Sequence, residues 1–538
     1  MRGLSWIRNT LILFSLAALA TLMLGYRLGR TGLWTDESIY AESAREMAGS
    51  GNWITPTLCG RAYLIKPVLY HWLASTTFHL IGEGELAARL PQAAAGGMAA
   101  LLIGWLAGGI LTKKTGWLAG AVLLTSPGFV MGARVAGMDV LLTFCIALAL
   151  TAFFRGYRDL TGRRAWFLAA GFFSGLGLLA KGPLGMFVPA LVILVFLAAR
   201  RDLRVALSRA ALEGAALALI TASIWYAPVW IRHGRAFTRI FWVGNNLSRI
   251  SEPVSEHAGS PTYYLPVFLL AFLPWSLSFA VALARAARRA WKEGFRKCNP
   301  EDLFLVSWFA APFLFYSAIA TKLPGYLLPI FPAAALLLAR EWERESSAGR
   351  RRAGGLFRIG AALGTMALPG VALAVPFLLQ YRYEIRPEGI WYFPALCFAT
   401  ALPATLSALL RRGKMRSGWC VAAGGVFVLG LIRFVVAPVE PFESMKEMTQ
   451  RLLAKRQAGF SVALVGGHLK GTLFYSGCSV PQPRNLNDLP RPGHGFPLYC
   501  LVKDRYREDL EDWAGRGNFH LRVVKRSDAL SLVEAGWE

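Results

Sequence analysis

The feature that most constrains this chain is a series of apolar runs, each about as long as a bilayer is thick. A membrane-crossing helix needs about 20 mostly apolar residues. Inside hydrocarbon the backbone must satisfy its own hydrogen bonds, so the runs are read as helices. They fall near 10–27, 88–111, 115–132, 139–154, 165–180, 183–199, 208–231, 262–284, 303–320, 324–339, 357–379, 391–410 and 418–437. The expectation is an all-α polytopic membrane protein with about thirteen transmembrane helices, broken or short around Pro127 and Lys181. Composition agrees: 17% of the 538 residues are charged, against about a quarter in soluble domains. An ordinary cytosolic enzyme and a disordered chain are both excluded.

The net charge of +26 points to topology rather than to nucleic acid. With the N-terminus inside, the even-numbered spans end at Lys113–Lys114, Arg155–Arg164, Arg200–Arg209, Arg285–Lys297, Arg340–Arg358 and Arg411–Arg416, all on one side. That is the positive-inside pattern. No nucleic-acid partner is expected. The first run follows Arg2 and Arg8 like a signal peptide, but no A-x-A site follows it, so it is read as a span.

This topology puts residues 28–87, 232–261 and everything after 438 outside. Residues 1–438 are read as the membrane domain. Its outer loop 28–87 carries two amphipathic helices, near 37–48 and 67–79, lying on the membrane surface. Residues 439–538 are read as a small soluble α/β domain, with helices at 442–457 and 508–513 and strands at 461–465, 497–502 and 520–524. Seven scattered cysteines lack C-x-x-C spacing, so no zinc or redox motif is expected. Cys478 and Cys500 either pair on the oxidising side or stay as two buried thiols; the sequence leaves both open.

Charged residues at the edges of apolar spans are costly and usually functional. Four groups fall on the outer face. The first is Asp36-Glu37, adjacent on a helix, so one enters a site while the other packs or caps; Asp36 is also a natural N-cap. The second is Tyr63-Leu-Ile-Lys66-Pro67. A lysine just before a helix is disfavoured by the dipole, which an anionic partner would explain. The third is Arg134-Val-Ala-Gly-Met-Asp139. The fourth comprises the cations Lys181, Lys322 and Arg249. Several cations and two acids at one depth suit an anionic, lipid-linked substrate, and phosphate is the natural anion.

These segments also carry a resemblance. Trp34-Thr-Asp-Glu-Ser-Ile-Tyr-Ala-Glu-Ser-Ala-Arg-Glu-Met47, Gly51-Asn-Trp-Ile-Thr-Pro56 and Tyr63-Leu-Ile-Lys-Pro67 resemble the first outer loop of the aminoarabinose transferases that modify lipid A. Those enzymes are protein-mannosyltransferase-like, polyprenyl-phosphate-dependent glycosyltransferases. The likeness continues through Ala133–Asp139, Ala180-Lys-Gly-Pro183, Phe241-Trp-Val243, His257–Pro266 and Lys322–Pro329. It implies a GT-C fold of thirteen spans with a small periplasmic domain in a bacterial inner membrane. It also implies transfer of a sugar from undecaprenyl phosphate to lipid A or another outer-face acceptor. By resemblance, Asp36 is the key acid, Tyr63 and Lys66 contact donor phosphate, and Asp139, Lys181, Arg249 and Tyr326 are polar cavity residues. Asp36 and Asp139 are the catalytic candidates. Tyr40, in the same motif as Asp36, joins the substrate-binding set.

One departure stands out. Family members hold a divalent metal with a Glu just before the lysine and a His shortly before the arginine. Here those places are Ile65 and the Gly244-Asn245-Asn246 region. No tightly bound metal is expected, and His257 is a remaining candidate ligand. Three rival functions are a flippase for lipid-linked sugars, a protein O-mannosyltransferase-like enzyme with a hydroxyl acceptor, and a non-catalytic scaffold.

Overall fold

A computed structural model describes residues 2–110, 112–248, 259–347, 355–410, 416–465, 469–483, 485–493, 497–503, 506–527 and 530–537. The protein is mostly helical. Among the described residues, six helices are long and apolar enough to cross a membrane, or up to eight if each of two bent pairs counts as one span. Bends fall where the sequence interrupts the helix ladder. α5 (Lys113–Leu124) and α6 (Pro127–Ala133) meet at 69°, because Pro127 has no N–H to continue the ladder. The run 262–284 is not one straight helix: Tyr264–Ala271 and Ser276–Glu293 are bent by 115°. The run 324–339 begins as a 3₁₀ turn over Pro324–Ile330 before the helix Phe331–Ser347.

α1 (Arg2–Gly25) leads into α2 (Thr35–Ser50), a short hairpin of β1 (Thr57–Leu58) and β2 (Arg61–Ala62), and α3 (Leu69–Ile81). Pro67 is therefore not the first helical residue; α3 starts two residues later. α2 packs on α3, α3 packs on α4 (Glu85–Ile110), and Glu37 of α2 pairs with Arg89 of α4. α7 (Asp139–Arg158), α8 (Arg163–Lys181), α9 (Leu184–Arg200) and α10 (Arg209–Phe237) follow.

The C-terminal layer is a mixed sheet in the order β3-β4-β6-β5, with β3 (Ser461–Val465) parallel to β4 (Leu498–Lys503) and β5 (His520–Ser527) and β6 (Leu530–Gly536) antiparallel. β4 is buried on both faces and alternates strictly. Leu498, Cys500 and Val502 pack against helix Arg507–Arg516, while Tyr499 and Leu501 pack against helix Lys446–Gln457. Strand β6 was not foreseen, and the first of the two C-terminal helices is split in two at 443–446.

Cys500 is buried as a thiol in that core, so it does not pair with Cys478. Cys478 instead forms a disulfide with Cys59 of the β1–β2 hairpin, 419 residues away. Around it, the C-terminal layer grips α2. Ser38 Oγ donates to the Gly471 carbonyl (3.1 Å) and accepts from Phe474 N–H (3.0 Å). Glu440 accepts from Gly32 N–H at 2.9 Å, and Lys446 donates to Glu85 at 2.6 Å.

Candidate functional site

The acidic pair divides as the helix geometry requires. Asp36 is exposed, and Glu37 is 2% exposed. Asp36 does not cap α2; Trp34 holds the N-cap position, and its N–H is taken by the Glu37 carboxylate at 2.9 Å. Glu37 also accepts from Ala136 N–H (2.6 Å) and from both Nε and Nη2 of Arg89 (2.8 and 2.7 Å). Arg89 spends its other donors on the carbonyls of Leu28, Thr31 and Gly32. This buried fork therefore fixes the segment before Asp36 and the segment before Asp139 together. Buried charges persist only when paired and hydrogen-bonded in this way. Arg89 was missed in the sequence, though a cation at the start of an apolar run is a visible signal.

Asp139 is the first residue of α7 and forms an ion pair with Lys181, the last residue of α8. Gly325 lies beneath that carboxylate: a Cβ there would sit 3.1 Å from Asp139 Cγ. The ammonium of Lys181 also stands 5.1 Å from the Tyr326 ring centroid, a cation–π contact. Tyr326 in turn tilts against Tyr316 at 5.4 Å.

Lys66, Lys181 and Tyr326 line one cavity of about 320 Å³. Its other walls are mainly apolar and aromatic, including Phe187, Phe241 and Trp242. No acid lines it among the described residues. Phe241, Trp242, Asn245 and Asn246 reach it from a π-helical arm, Thr238–Leu247. The arm turns off α10 at Gly234, whose φ of 50° and ψ of −126° suit only glycine. Asn245 Nδ2 donates to the Ile65 carbonyl at 2.7 Å, joining the arm to the Lys66 loop.

The remaining candidates lie elsewhere. Tyr63 stacks edge-on against His71 at 6.2 Å, and Tyr40 against Tyr70 at 6.2 Å; neither lines this cavity. His71 is fully buried, with Nδ1 at 3.2 Å from the Pro67 carbonyl. Burial pushes its pKa down to about 4, so it supports the Lys66–Pro67 turn as a neutral ring. Lys322 is not a site cation; its ammonium donates to the carbonyls of Tyr316, Ser317 and Ile319 and closes the end of helix Pro300–Ala318. Arg134 does the same for α1 through the carbonyls of Met23, Leu24 and Tyr26. Arg249 and His257 lie outside the described residues.

Residues 65–227 match the family described as dolichyl-phosphate-mannose-protein mannosyltransferase. An undecaprenyl phosphate-alpha-4-amino-4-deoxy-L-arabinose arabinosyl transferase of Aeromonas salmonicida is 33% identical over 366 residues, 67% of this chain and 65% of the relative. The same-named protein of Shewanella sediminis is 31% identical over 400 residues, covering 72% of this chain and 71% of the relative. The chain belongs to this arabinosyl transferase family. The fold agrees over the full length. The crystal structure of ArnT from Cupriavidus metallidurans bound to undecaprenyl phosphate superposes with a TM-score of 0.75 at 22% identity, covering 98% of each chain. The match to the Aeromonas relative spans just under two thirds of that relative's length.

Among the described residues, the two places where the resemblance puts divalent-metal ligands offer neither a carboxylate nor an imidazole. Ile65 offers hydrocarbon, and the Asn245 amide nitrogen is engaged with the Ile65 carbonyl. Metals of this class want carboxylate or imidazole. Elsewhere among the described residues, Glu46, Cys59 and Cys478 lie close together. The two sulfurs are joined in the disulfide, and Glu46 accepts from the Cys59 and Gly60 N–H groups.

Proposed function

We propose that this protein is an integral-membrane glycosyltransferase moving a sugar from undecaprenyl phosphate to lipid A at the periplasmic face of a bacterial inner membrane. The sugar is 4-amino-4-deoxy-L-arabinose, in keeping with the names of its relatives. The observation that carries the reading is the cavity in which Lys66 and Lys181 meet apolar walls, beside the Asp139 carboxylate. An isoprenoid chain fits the walls, and two lysines answer a phosphate.

In the reaction, the bond from the anomeric carbon to the donor phosphate oxygen breaks, and a bond from that carbon to an acceptor oxygen forms. The leaving group departs as a lipid phosphate with its electron pair. Fixed cations stabilise that developing charge without a proton; Lys66 and Lys181 fill this role. Asp139 orients Lys181 through the ion pair. A lipid A phosphate is already ionised, so no strong base is required, and exposed Asp36 stabilises the cationic sugar carbon. Tyr326 holds Lys181 from the other side. Tyr40, Tyr63 and Arg249 complete the proposed substrate-binding set, and no step needs a metal.

The proposed topology has thirteen spans with the N-terminus inside. One-sided basic clusters support it, as does a disulfide linking loop 28–87 to residues after 438, which requires both on the oxidising face. The proposed boundary near 438 is supported by the separate apolar clusters on either face of the C-terminal sheet. The test is incubation of the purified protein with labelled undecaprenyl-phosphate sugar and lipid A. Labelled lipid A supports the reading. Intact donor moved across a vesicle bilayer, with no product, replaces it with a flippase.

A further inference from the structure

A second cavity, of about 360 Å³, lies on the other side of the Asp139–Lys181 pair. Asp139 lines the second cavity and Lys181 the first, and no lining residue is common to both. The ion pair and the turn Pro324–Leu327 therefore act as a partition, with Tyr326 facing one side and Gly325 the other.

The chemistry of the two cavities differs. The first has two lysines. In the second, Gln92 and Asp139 are the polar side chains; the rest is hydrocarbon or glycine, including Val135, Val267, Leu327 and Phe331. Gln92 is 1% exposed. Its Oε1 accepts the Leu141 N–H at 2.7 Å, one of the unpaired donors at the start of α7. An N–H can be met only by an acceptor, so this contact fixes which end of the amide is which. The NH₂ end is turned toward Gly137, 3.5 Å from where a Cβ there would lie, and Gly137 also lines the cavity. The cavity thus holds a fixed neutral donor next to a carboxylate whose charge Lys181 balances.

Displacement at a sugar carbon brings the incoming oxygen in opposite to the departing one. With the leaving phosphate held by Lys66 and Lys181, the acceptor approaches past Asp139 from the second cavity. We propose that this cavity takes an acyl chain of the lipid acceptor, and that Gln92 is a specificity-determining residue donating its amide N–H to an oxygen of the acceptor head group. The proposal rests on the glycosyl-transfer reading above.

Two substitutions test it in the full-length protein, varying lipid A at saturating donor and then donor at saturating lipid A. Val135→Trp narrows the cavity from a half-exposed position without touching a polar contact. Gln92→Glu keeps an oxygen for Leu141 N–H and removes the NH₂ donor. Each is expected to raise the KM for lipid A by about ten-fold while the donor KM stays at the wild-type value. With a deacylated, water-soluble acceptor, Val135→Trp and wild type are expected to give equal kcat/KM. Unchanged lipid A KM in both variants overturns the proposal, as does an equal defect of Val135→Trp on the deacylated acceptor. Failure of the wild-type protein to transfer sugar at all sinks instead the glycosyl-transfer reading.

Discussion

The two faces of this protein use the same residue types to different ends. On the side read as cytoplasmic, Arg285, Arg289, Arg340 and Arg344 interlock with Asp302, Glu341 and Glu345. Arg289 Nε lies 3.1 Å and Arg344 Nη1 2.8 Å from Asp302 Oδ2, Arg340 Nε 2.7 Å from Asp302 Oδ1, and Arg289 Nη2 3.0 Å from Glu341. Arg285 pairs with both Glu341 and Glu345. Cations and acids there neutralise one another across three helices. On the face read as outer, Lys66 and Lys181 line a cavity with no acid among its described lining residues, and Lys181 reaches through its partition to pair with the single carboxylate Asp139. The difference is one of setting: the inner cations meet several acids packed between helices, whereas the outer lysines line a cavity wide enough for a ligand.

The sharpest way to break this contrast is Lys66→Met. If the outer cations serve a ligand, transfer falls by about 10²–10³-fold or more, as for loss of other preorganised charge-stabilising groups, while folding and insertion persist. Activity near wild type would make Lys66 a snorkelling residue instead. The inner network should respond in the opposite sense. Asp302→Ala leaves several arginines facing a missing acid and is expected to lower stability by about 3–5 kcal/mol. The kcat of the protein that remains folded should not change. A thermal melt and a turnover measurement on the same preparation separate the two outcomes.

Much of this contrast was legible in the sequence, and the limits are physical. The apolar helices come from hydropathy, a property of single segments, though six to eight of the described helices rather than thirteen are long and apolar enough to span. The Asp36-Glu37 ambiguity was correctly framed by helix geometry, but which residue is buried depends on Arg89 and Ala136, contacts from distant segments. The sequence left the Cys478–Cys500 pairing open and did not bring Cys59 into question, because the 419-residue separation of Cys59 and Cys478 hides their contact. Only the alternation along β4, which turns Cys500 into its own core, excludes the Cys478–Cys500 pair. Gln92 went unnoticed, although an amide after Pro91 in an apolar helix is a burial signal.

A smaller effect is expected where the C-terminal layer grips α2. Glu42 is buried beside Arg45 and Cys478. Burial raises its pKa to about 7, with Arg45 opposing the shift. The sign follows from linkage: the folded state holds this proton more tightly than the unfolded state, so the group's stabilising contribution is complete below about pH 4.5 and is lost as pH rises through about 7. Wild-type stability should therefore fall between pH 5 and pH 8 by on the order of 1–3 kcal/mol more than that of Glu42→Gln. Parallel melting curves for the two proteins would remove Glu42 from the account.

The smallest expected effect is none, and it bears on how the outer site is held together. A divalent ion bridging the Lys66 loop to the 238–247 arm would need anionic or imidazole ligands on both. Here one side presents Ile65, and the other presents Asn245, whose amide nitrogen already donates to the Ile65 carbonyl at 2.7 Å. A metal at this point would also sit beside Lys66, whose charge would repel it unless carboxylates compensated. The hydrogen bond joins the same two segments without that conflict, leaving the lysines to face phosphate alone. Transfer is therefore expected to continue undiminished in EDTA, with no stoichiometric zinc or magnesium in the purified protein. Loss of transfer that zinc or magnesium restores would place a metal among ligands such as His257. The donor phosphate would then be met by a protein-held ion as well as by the two lysines.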